Sequence, residues 1–275
     1  MKKMSEYGRL ERALHFTTDY GEITVEDTDL HGEPVRYYRH NGAFSSGMFL
    51  SGNKRYELVF EYLKKYEVVF EYLDVKRALM IGGAAYQYPK YYISRHPDSF
   101  MDVVEIDPTA EKLAREYFGL EELYAEYDLY RTQRLRCITA DARSFLTGTK
   151  ARYDVIFNDA FSGAVPVRKM ATLEAAAEIK EHLVGEGFYL ANIIGSVSGP
   201  ESEFMRSMIA TTKRVFREVA VLYCSPEYRS GREKTNYIVL ATDKDISIGN
   251  TVPYRLSRFE RILRDKLGEQ ASPGS

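Results

Sequence analysis

Tryptophan is absent from this chain of 275 residues, and cysteine occurs only twice. Cys137 and Cys224 stand far apart and form no metal-ligand spacing, which favours two buried apolar side chains in a reducing compartment. The five histidines show no ligand spacing either, so we expect no metal site. These histidines are His15, His31, His40, His96 and His182.

Net charge and long apolar runs are also scarce. The formal net charge of −2 gives no basic field that would attract a nucleic acid or an anionic membrane. The longest apolar stretches fall far short of a membrane span, and residues 1–6 lead into no apolar signal core. Apolar residues make up 44% of the chain and charged residues 28%, as is typical of a globular protein. We therefore expect a cytoplasmic protein that binds neither nucleic acid nor membrane.

The first part of the chain carries short segments rich in β-branched or aromatic residues, at 22–25, 35–39 and 44–50. Turn signals separate these segments, and Asn41-Gly42 suits a tight hairpin because both residues tolerate positive φ. The pattern predicts a small N-terminal β element over residues 1–54.

A near-duplication follows, because residues 66–73 repeat residues 56–63 with few changes. Two copies are too few for a repeat protein. We interpret the segment as one long, mostly buried helix that ends near Asp74. A pair of short strands is the alternative.

From residue 77 onward, compact apolar runs alternate with helical patterns. The predicted strands are 78–81, 101–106, 136–139, 153–157, 187–194, 219–223 and 236–241, and the predicted helices include 108–118, 172–183 and 203–216. The alternation predicts an α/β fold with a Rossmann-like, doubly wound, mostly parallel seven-stranded sheet. Its last strand should be antiparallel, because no helix precedes it. We place this domain at residues 55–268 and expect a disordered tail at 269–275.

In such a sheet, ligands bind at the carboxyl ends of the strands. The first strand ends in Gly82, Gly83 and Ala84, whose small side chains let the backbone approach a cofactor closely. Tight packing of strand against helix is the alternative explanation. Tyr86 and Gln87 follow the loop, and we assign them to the substrate.

Acidic residues follow the next two strands. Glu105 lies 22 positions after Gly83, where an acid suits a bidentate contact to ribose hydroxyls, and Ile106 would lie beside the same cofactor. We interpret Asp107 as the N-cap of the next helix. After the third strand, Asp141 could accept a hydrogen bond from an adenine amino group, while Ala142 leaves room for the ring; Asp141 could also be an N-cap.

The fourth strand ends in Asn158 and Asp159. Asn158 is assigned to the cofactor. Asp159 is the catalytic candidate, either as a general base or as an anchor for a cationic substrate, and capping of the loop is the alternative. Phe161 and Ser162 follow on the substrate side.

Five segments, at 78–83, 103–108, 141–146, 153–159 and 236–241, resemble in their order the motifs of the spermidine synthase family. The resemblance covers about residues 22–243. It implies a fold of the class I S-adenosylmethionine (SAM)-dependent methyltransferase superfamily and an alkyl transfer from SAM or decarboxylated SAM to a small-molecule acceptor, without a metal. A homodimer is implied by the resemblance alone.

Three positions depart from the family pattern. Ala85 stands where the family has an aspartate in its glycine loop, Ser162 replaces the second aspartate of the catalytic segment, and Ser45 is nearest to a lost glutamine. Carboxylates hold the ammonium groups of decarboxylated SAM and of polyamines, because an unpaired cation in a closed site is costly. Their loss favours a SAM-dependent methyltransferase acting on a small molecule.

Three alternatives stay open. An aminopropyltransferase (spermidine synthase) would use Asp159 together with other acids such as Glu57 or Glu174. A non-catalytic protein would bind an adenosine ligand without turnover. A nicotinamide-dependent oxidoreductase is the most distant, because the three-glycine fingerprint is missing.

Overall fold

The computed structural model describes residues 8–162, 165–225 and 230–266, without the side chains of Ser162, Val165 and Pro166. The predicted tail at 269–275 therefore lies outside the described residues. Within these ranges, no helix has both the length and the apolar character that crossing a membrane requires.

The N-terminal β element is an antiparallel sheet whose strands follow one another in chain order. The strands are β1 (Leu14–Thr18), β2 (Gly21–Leu30), β3 (Glu33–His40) and β4 (Ala43–Phe49). Asn41 and Gly42 form the tight turn between β3 and β4, with φ of 48° and 78°. The strand β1 was not predicted, because its alternating sequence LHFTT carries only a weak apolar signal.

The duplicated segment differs from the predicted long helix. Residues Glu61–Glu71 form consecutive 3₁₀ turns, while 56–60 are not helical. The buried side chains Leu63, Tyr66 and Val69 are three residues apart, which matches the 3.0 residues per turn of this helix type. One narrow stripe of the segment therefore packs against the main sheet.

The main sheet has seven strands. They are β5 (Arg77–Ile81), β6 (Phe100–Glu105), β7 (Leu135–Thr139), β8 (Tyr153–Asn158), β11 (Leu183–Gly195), β12 (Glu218–Tyr223) and β13 (Thr235–Thr242). A separate short hairpin, formed by β9 (Phe161–Ser162) and β10 (Val165–Pro166), lies between β8 and β11 in the chain. The order is β12-β13-β11-β8-β5-β6-β7, and β13 runs in the direction opposite to the other six strands. The predicted fold class is confirmed, including the antiparallel last strand.

Helices cover both faces of this sheet. They are α1 (Gln87–Arg95), α2 (Pro108–Tyr117), α3 (Leu120–Glu126), α4 (Leu129–Thr132), α5 (Ala142–Gly148), α6 (Leu173–Glu181) and α7 (Glu203–Thr212), with 3₁₀ turns at Gly52–Lys54, Arg168–Met170 and Pro200–Ser202. The polar segment between α2 and β7 was not predicted to contain α3 and α4. These short helices are held by buried leucines rather than by a long amphipathic pattern.

The N-terminal sheet packs against the main sheet through a shared apolar cluster that includes Ala85, Leu113 and Phe118. A buried ion pair supports this contact: the Arg36 guanidinium donates to the Asp27 carboxylate at 2.7 and 2.9 Å and to the carbonyl oxygen of Tyr117 at 3.1 Å. The N-terminal sheet is thereby held over the carboxyl ends of β5 and β6.

Candidate active site

A cavity of about 330 Å³ lies between the N-terminal sheet and the carboxyl edge of the main sheet. This volume is within the usual range for a small-molecule site. Among the predicted site residues, those that line the cavity are Gly82, Gly83, Ala84, Gln87, Glu105, Ile106, Asp141, Ala142, Asp159 and Phe161. Most of the predicted site therefore converges at one place.

The glycine loop bends sharply as it leaves β5. Gly82 has φ of 91°, and a Cβ on it would lie 2.6 Å from the carbonyl oxygen of Asp159, so a side chain cannot be accommodated there. Ala84 and Tyr86 also have positive φ, of 44° and 56°, which costs energy for residues with a Cβ. The surrounding packing therefore holds this loop in a strained conformation.

Glu105 organises the loop as well as facing the cavity. Its Oε2 accepts hydrogen bonds from the amides of Gly83 and Ala84 at 2.8 and 3.0 Å, and its Oε1 accepts one from the amide of Asp107 at 3.0 Å. An ionised carboxylate can accept about four hydrogen bonds. Glu105 therefore retains acceptor capacity for a ligand hydroxyl.

Asp107 acts as the predicted N-cap of α2, but only with one oxygen. Its Oδ1 accepts a hydrogen bond from the amide of Thr109 at 2.8 Å. Its Oδ2 is buried and has no hydrogen-bond partner among the described residues, although Asp107 lines the cavity. An unsatisfied buried acceptor beside Glu105 fits a hydroxyl-bearing ligand such as a ribose.

Each carboxylate oxygen of Asp141 has a partner. Its Oδ1 caps α5 by accepting from the amide of Ser144 at 3.1 Å, and its Oδ2 forms an ion pair with Lys169. Burial acts to raise the pKa of the Asp141 carboxyl, but the Lys169 ammonium and the Ser144 amide outweigh it and hold this pKa below its ordinary value. Asp141 is therefore a charged acceptor at the β7 end of the cavity.

Asp159 lies at the centre of a hydrogen-bond network on the other side of the glycine loop. Tyr62 donates its hydroxyl to Oδ2 at 2.9 Å, and Asn192 donates Nδ2 to Oδ1 at 2.7 Å. Asn236 in turn donates to Asn192 at 3.0 Å. Burial raises the pKa of the Asp159 carboxyl to about 6, and the two direct hydrogen bonds limit this rise. Such a carboxylate can hold an amine and accept a proton near neutral pH.

Tyr62, Asn192 and Asn236 were missed in the sequence. Tyr62 lies in the duplicated segment, which was interpreted as a mostly buried helix. Asn192 interrupts the apolar run of β11, and that interruption was an available signal, whereas Asn236 lies at the polar start of β13. Lys169 was also missed, because it stands in a short polar turn without any motif.

Two predicted site residues do not line the cavity. The ring of Tyr86 is buried in the core beneath Gly83, because the positive φ of Tyr86 turns its side chain inward. Asn158 is buried and donates Nδ2 to the hydroxyl of Tyr189 at 2.8 Å. The prediction for Ser162 concerns a side chain outside the described ones.

Ala85 corrects one step of the sequence argument. Its side chain packs in the cluster against the N-terminal sheet and does not line the cavity. The Ala85 side chain is therefore directed toward the N-terminal sheet. Glu57 and Glu174 do not line the cavity either; they contact Arg95 and Arg264.

The cavity is strongly acidic. The carboxylates of Glu105, Asp107, Asp141 and Asp159 line it. Among the described residues, the basic side chains that line it are Lys169, which pairs with Asp141, and His40, which contacts the Tyr20 carbonyl oxygen. The excess of carboxylates favours a cationic ligand. No group of three His, Cys, Asp or Glu side chains in the described ranges is arranged to hold a metal ion.

Two known transferases resemble the chain in sequence. The chain is 31% identical to the polyamine aminopropyltransferase of Vibrio vulnificus over 52% of this chain and 44% of that protein. It is 28% identical to an N-terminal histidine N-methyltransferase of Emericella nidulans over 70% of this chain and 31% of that protein. The chain thus matches less than half the length of either relative.

Among solved structures, a probable spermidine synthase from Corynebacterium glutamicum superposes with a TM-score of 0.76. The match covers 96% of this chain and 100% of that one, at 23% sequence identity, and supports the fold alone. The model of the spermine/spermidine synthase domain matches residues 57–248, which is more than half of the chain. The chain therefore belongs to the spermine/spermidine synthase family.

Proposed function

We propose that the protein transfers an aminopropyl group from decarboxylated SAM to an amine acceptor. The observation that carries this proposal is the excess of carboxylates in the cavity, at Glu105, Asp107, Asp141 and Asp159. Decarboxylated SAM carries a sulfonium and an ammonium, and a polyamine adds further positive charge. A site with four carboxylates and one lysine suits decarboxylated SAM and a polyamine better than it suits SAM, whose tail carries a carboxylate of its own.

The glycine loop supports the same choice of donor. The sequence favoured methyl transfer because an aspartate of the family's glycine loop is replaced by Ala85. The amides of Gly83 and Ala84 already donate to Glu105, so they are not free for the carboxylate of SAM. The family match and the relative named polyamine aminopropyltransferase also support aminopropyl transfer over methyl transfer.

The strand order suggests how the donor would lie. Glu105 and Asp141 follow β6 and β7, on one side of the glycine loop, whereas Asp159 follows β8 on the other side. In the proposal, Glu105 and Asp107 hold the ribose, Asp141 faces the adenine, and the donor tail points toward Asp159.

Asp159 is proposed to position the acceptor and to take its proton. The donor supplies a sulfonium-activated carbon, whose bond to sulfur breaks as the bond to the acceptor nitrogen forms, so that methylthioadenosine leaves as a neutral thioether. The nitrogen must lose one proton, and the Asp159 carboxylate receives it. Tyr62 and Asn192 fix the orientation of this carboxylate through its two oxygens.

The test is incubation with decarboxylated SAM and a panel of diamines that includes putrescine. Methylthioadenosine and the aminopropylated amine should form together, and Asp159→Asn should slow their formation. The matched control Asp245→Asn makes the same change at an exposed aspartate outside the cavity lining and should leave turnover unchanged. Absence of methylthioadenosine with every amine would refute the proposal.

Methyl transfer from SAM is the second candidate, and the relative named N-terminal histidine N-methyltransferase favours it. The same amine panel with SAM distinguishes the two reactions. Formation of S-adenosylhomocysteine in place of methylthioadenosine would select methyl transfer.

A further inference from the structure

Gln87 is a buried polar residue in the wall of the cavity. Only 4% of its surface is exposed, and both Nε2 and Oε1 are buried with no hydrogen-bond partner among the described residues. Leaving such atoms unpaired destabilises a fold, and nearly all buried polar side chains in proteins are hydrogen-bonded. An unsatisfied amide in the wall of a binding cavity indicates a contact that a ligand completes.

The position of Gln87 shows which part of a ligand it would meet. Gln87 is the first residue of α1, follows the loop after β5, and lines the cavity beside Tyr88. The strand β5 lies between β6 and β8, so Gln87 stands between the side of Glu105 and the side of Asp159. A donor that extends from one side to the other must pass this residue with its sulfonium and tail.

We propose that Gln87 recognises the tail of the donor, with Oε1 accepting a hydrogen bond from the terminal ammonium. This inference rests on the proposed function. In the proposed function the remaining acceptor capacity of Asp159 serves the acceptor amine, because Tyr62 and Asn192 each already donate to one of its oxygens, so the tail ammonium needs a further acceptor. An amide oxygen supplies it without adding a fifth negative charge to the cavity.

The competing arrangement uses the other end of the amide. The N-terminus of α1 favours an anion, and Nε2 could donate to the carboxylate of a tail that has one. The excess of carboxylates around Gln87 makes Oε1 the better contact for the donor, and substitution distinguishes the two arrangements by the sign of its effect.

Gln87→Leu removes both polar atoms at similar volume, so it should increase the stability of the ligand-free protein and decrease its affinity for the donor. Without ligand, the melting temperature should rise by about 2–4 °C, because the unpaired polar atoms are gone. In calorimetric titration, the Kd for decarboxylated SAM should rise at least roughly tenfold, because a hydrogen bond to a charged group is lost. A residue that served only the fold would lower the melting temperature and leave the Kd unchanged.

Gln87→Glu keeps the acceptor and should bind decarboxylated SAM at least as tightly as the unsubstituted protein. Gln133→Leu makes the leucine substitution at an exposed glutamine and should not alter the Kd. Weaker binding by Gln87→Glu would show that Nε2 makes the contact and would overturn the inference, as would an unchanged Kd in Gln87→Leu.

Failure of the proposed function would be distinguishable, since it would appear as absence of methylthioadenosine while donor binding is still measured. SAM carries the same terminal ammonium, so the titration of Gln87→Leu with SAM tests the contact even in that case. Binding of neither donor to the unsubstituted protein would overturn both proposals.

Discussion

Replacement of Asp159 by asparagine should make the protein more stable and less active at the same time. The carboxylate is held by Tyr62 and Asn192, but burial disfavours its charged form and raises its pKa to about 6. Asparagine has the same shape and keeps an acceptor for Asn192, and the Tyr62 hydroxyl can rotate to accept from the new amide. The substitution therefore removes a disfavoured charge without leaving a hole.

The magnitude follows from the shift in pKa. The ordinary pKa of this carboxyl is 3.8 and the folded value is about 6. A difference of about two pKa units corresponds to about 3 kcal/mol between the two protonation states. Because the folded protein holds the proton more tightly than the unfolded chain, this group lowers the free energy of unfolding as the pH rises from about 4 through about 6. The stabilisation by Asp159→Asn should therefore be near zero at pH 4 and approach 3 kcal/mol above pH 6 as an upper limit.

Urea denaturation at pH 4, 5, 6, 7 and 8 measures this difference, and Asp245→Asn shows the effect of removing an exposed charge. The rate of methylthioadenosine formation should rise with pH through about 6 in the unsubstituted protein, as Asp159 ionises. It should fall by about 10²–10⁴ in Asp159→Asn. A stability difference that is already complete at pH 4, or that has the opposite sign at pH 7, would refute the assignment of a desolvated carboxylate.

The glycine loop yields three further predictions. Gly82→Ala should lower the free energy of unfolding by about 2 kcal/mol or more in urea denaturation, because φ is positive and a Cβ would lie 2.6 Å from a carbonyl oxygen. The control Gly148→Ala has open space around its Cβ and should be neutral or stabilising. Equal effects of the two substitutions would contradict the geometry of the loop. Glu105→Ala should weaken donor binding more than about a hundredfold and abolish the thermal shift that the donor produces, since it removes the ligand acceptor and the hydrogen bonds that hold the loop; an unaltered shift would place the donor elsewhere. Ala84→Gly should raise the free energy of unfolding by up to about 1 kcal/mol, because relief of the left-handed strain exceeds the entropy cost of glycine; a clear loss of stability would mean that the loop is not strained.

Local sequence was sufficient where a site residue directly follows a strand. Gly82, Glu105, Asp141 and Asp159 each come at the end of an apolar run, and the carboxyl ends of parallel strands meet at one edge of the sheet. Their convergence in one cavity needed only the strand order. The interpretation of Ala85 was wrong because the residue type at a motif position does not show which way its side chain points. Left-handed backbone on either side of that residue turns its side chain to the N-terminal sheet, and such backbone at alanine and tyrosine is not predictable from propensity.

The sequence by itself determined the alternating sheet, its antiparallel last strand and the glycine loop with its acid, because periodicity and turn chemistry are local properties. Tertiary structure alone decided the partners of Asp159, since Tyr62 and Asn192 are 97 and 33 residues away and meet it only when the sheet is covered. It also decided the charge of the cavity, and with it the choice of donor that we propose. In the sequence, each of these carboxylates is one acid among forty. In the structure, four of them line a single cavity whose loop amides are already engaged, and this arrangement favours a positively charged ligand.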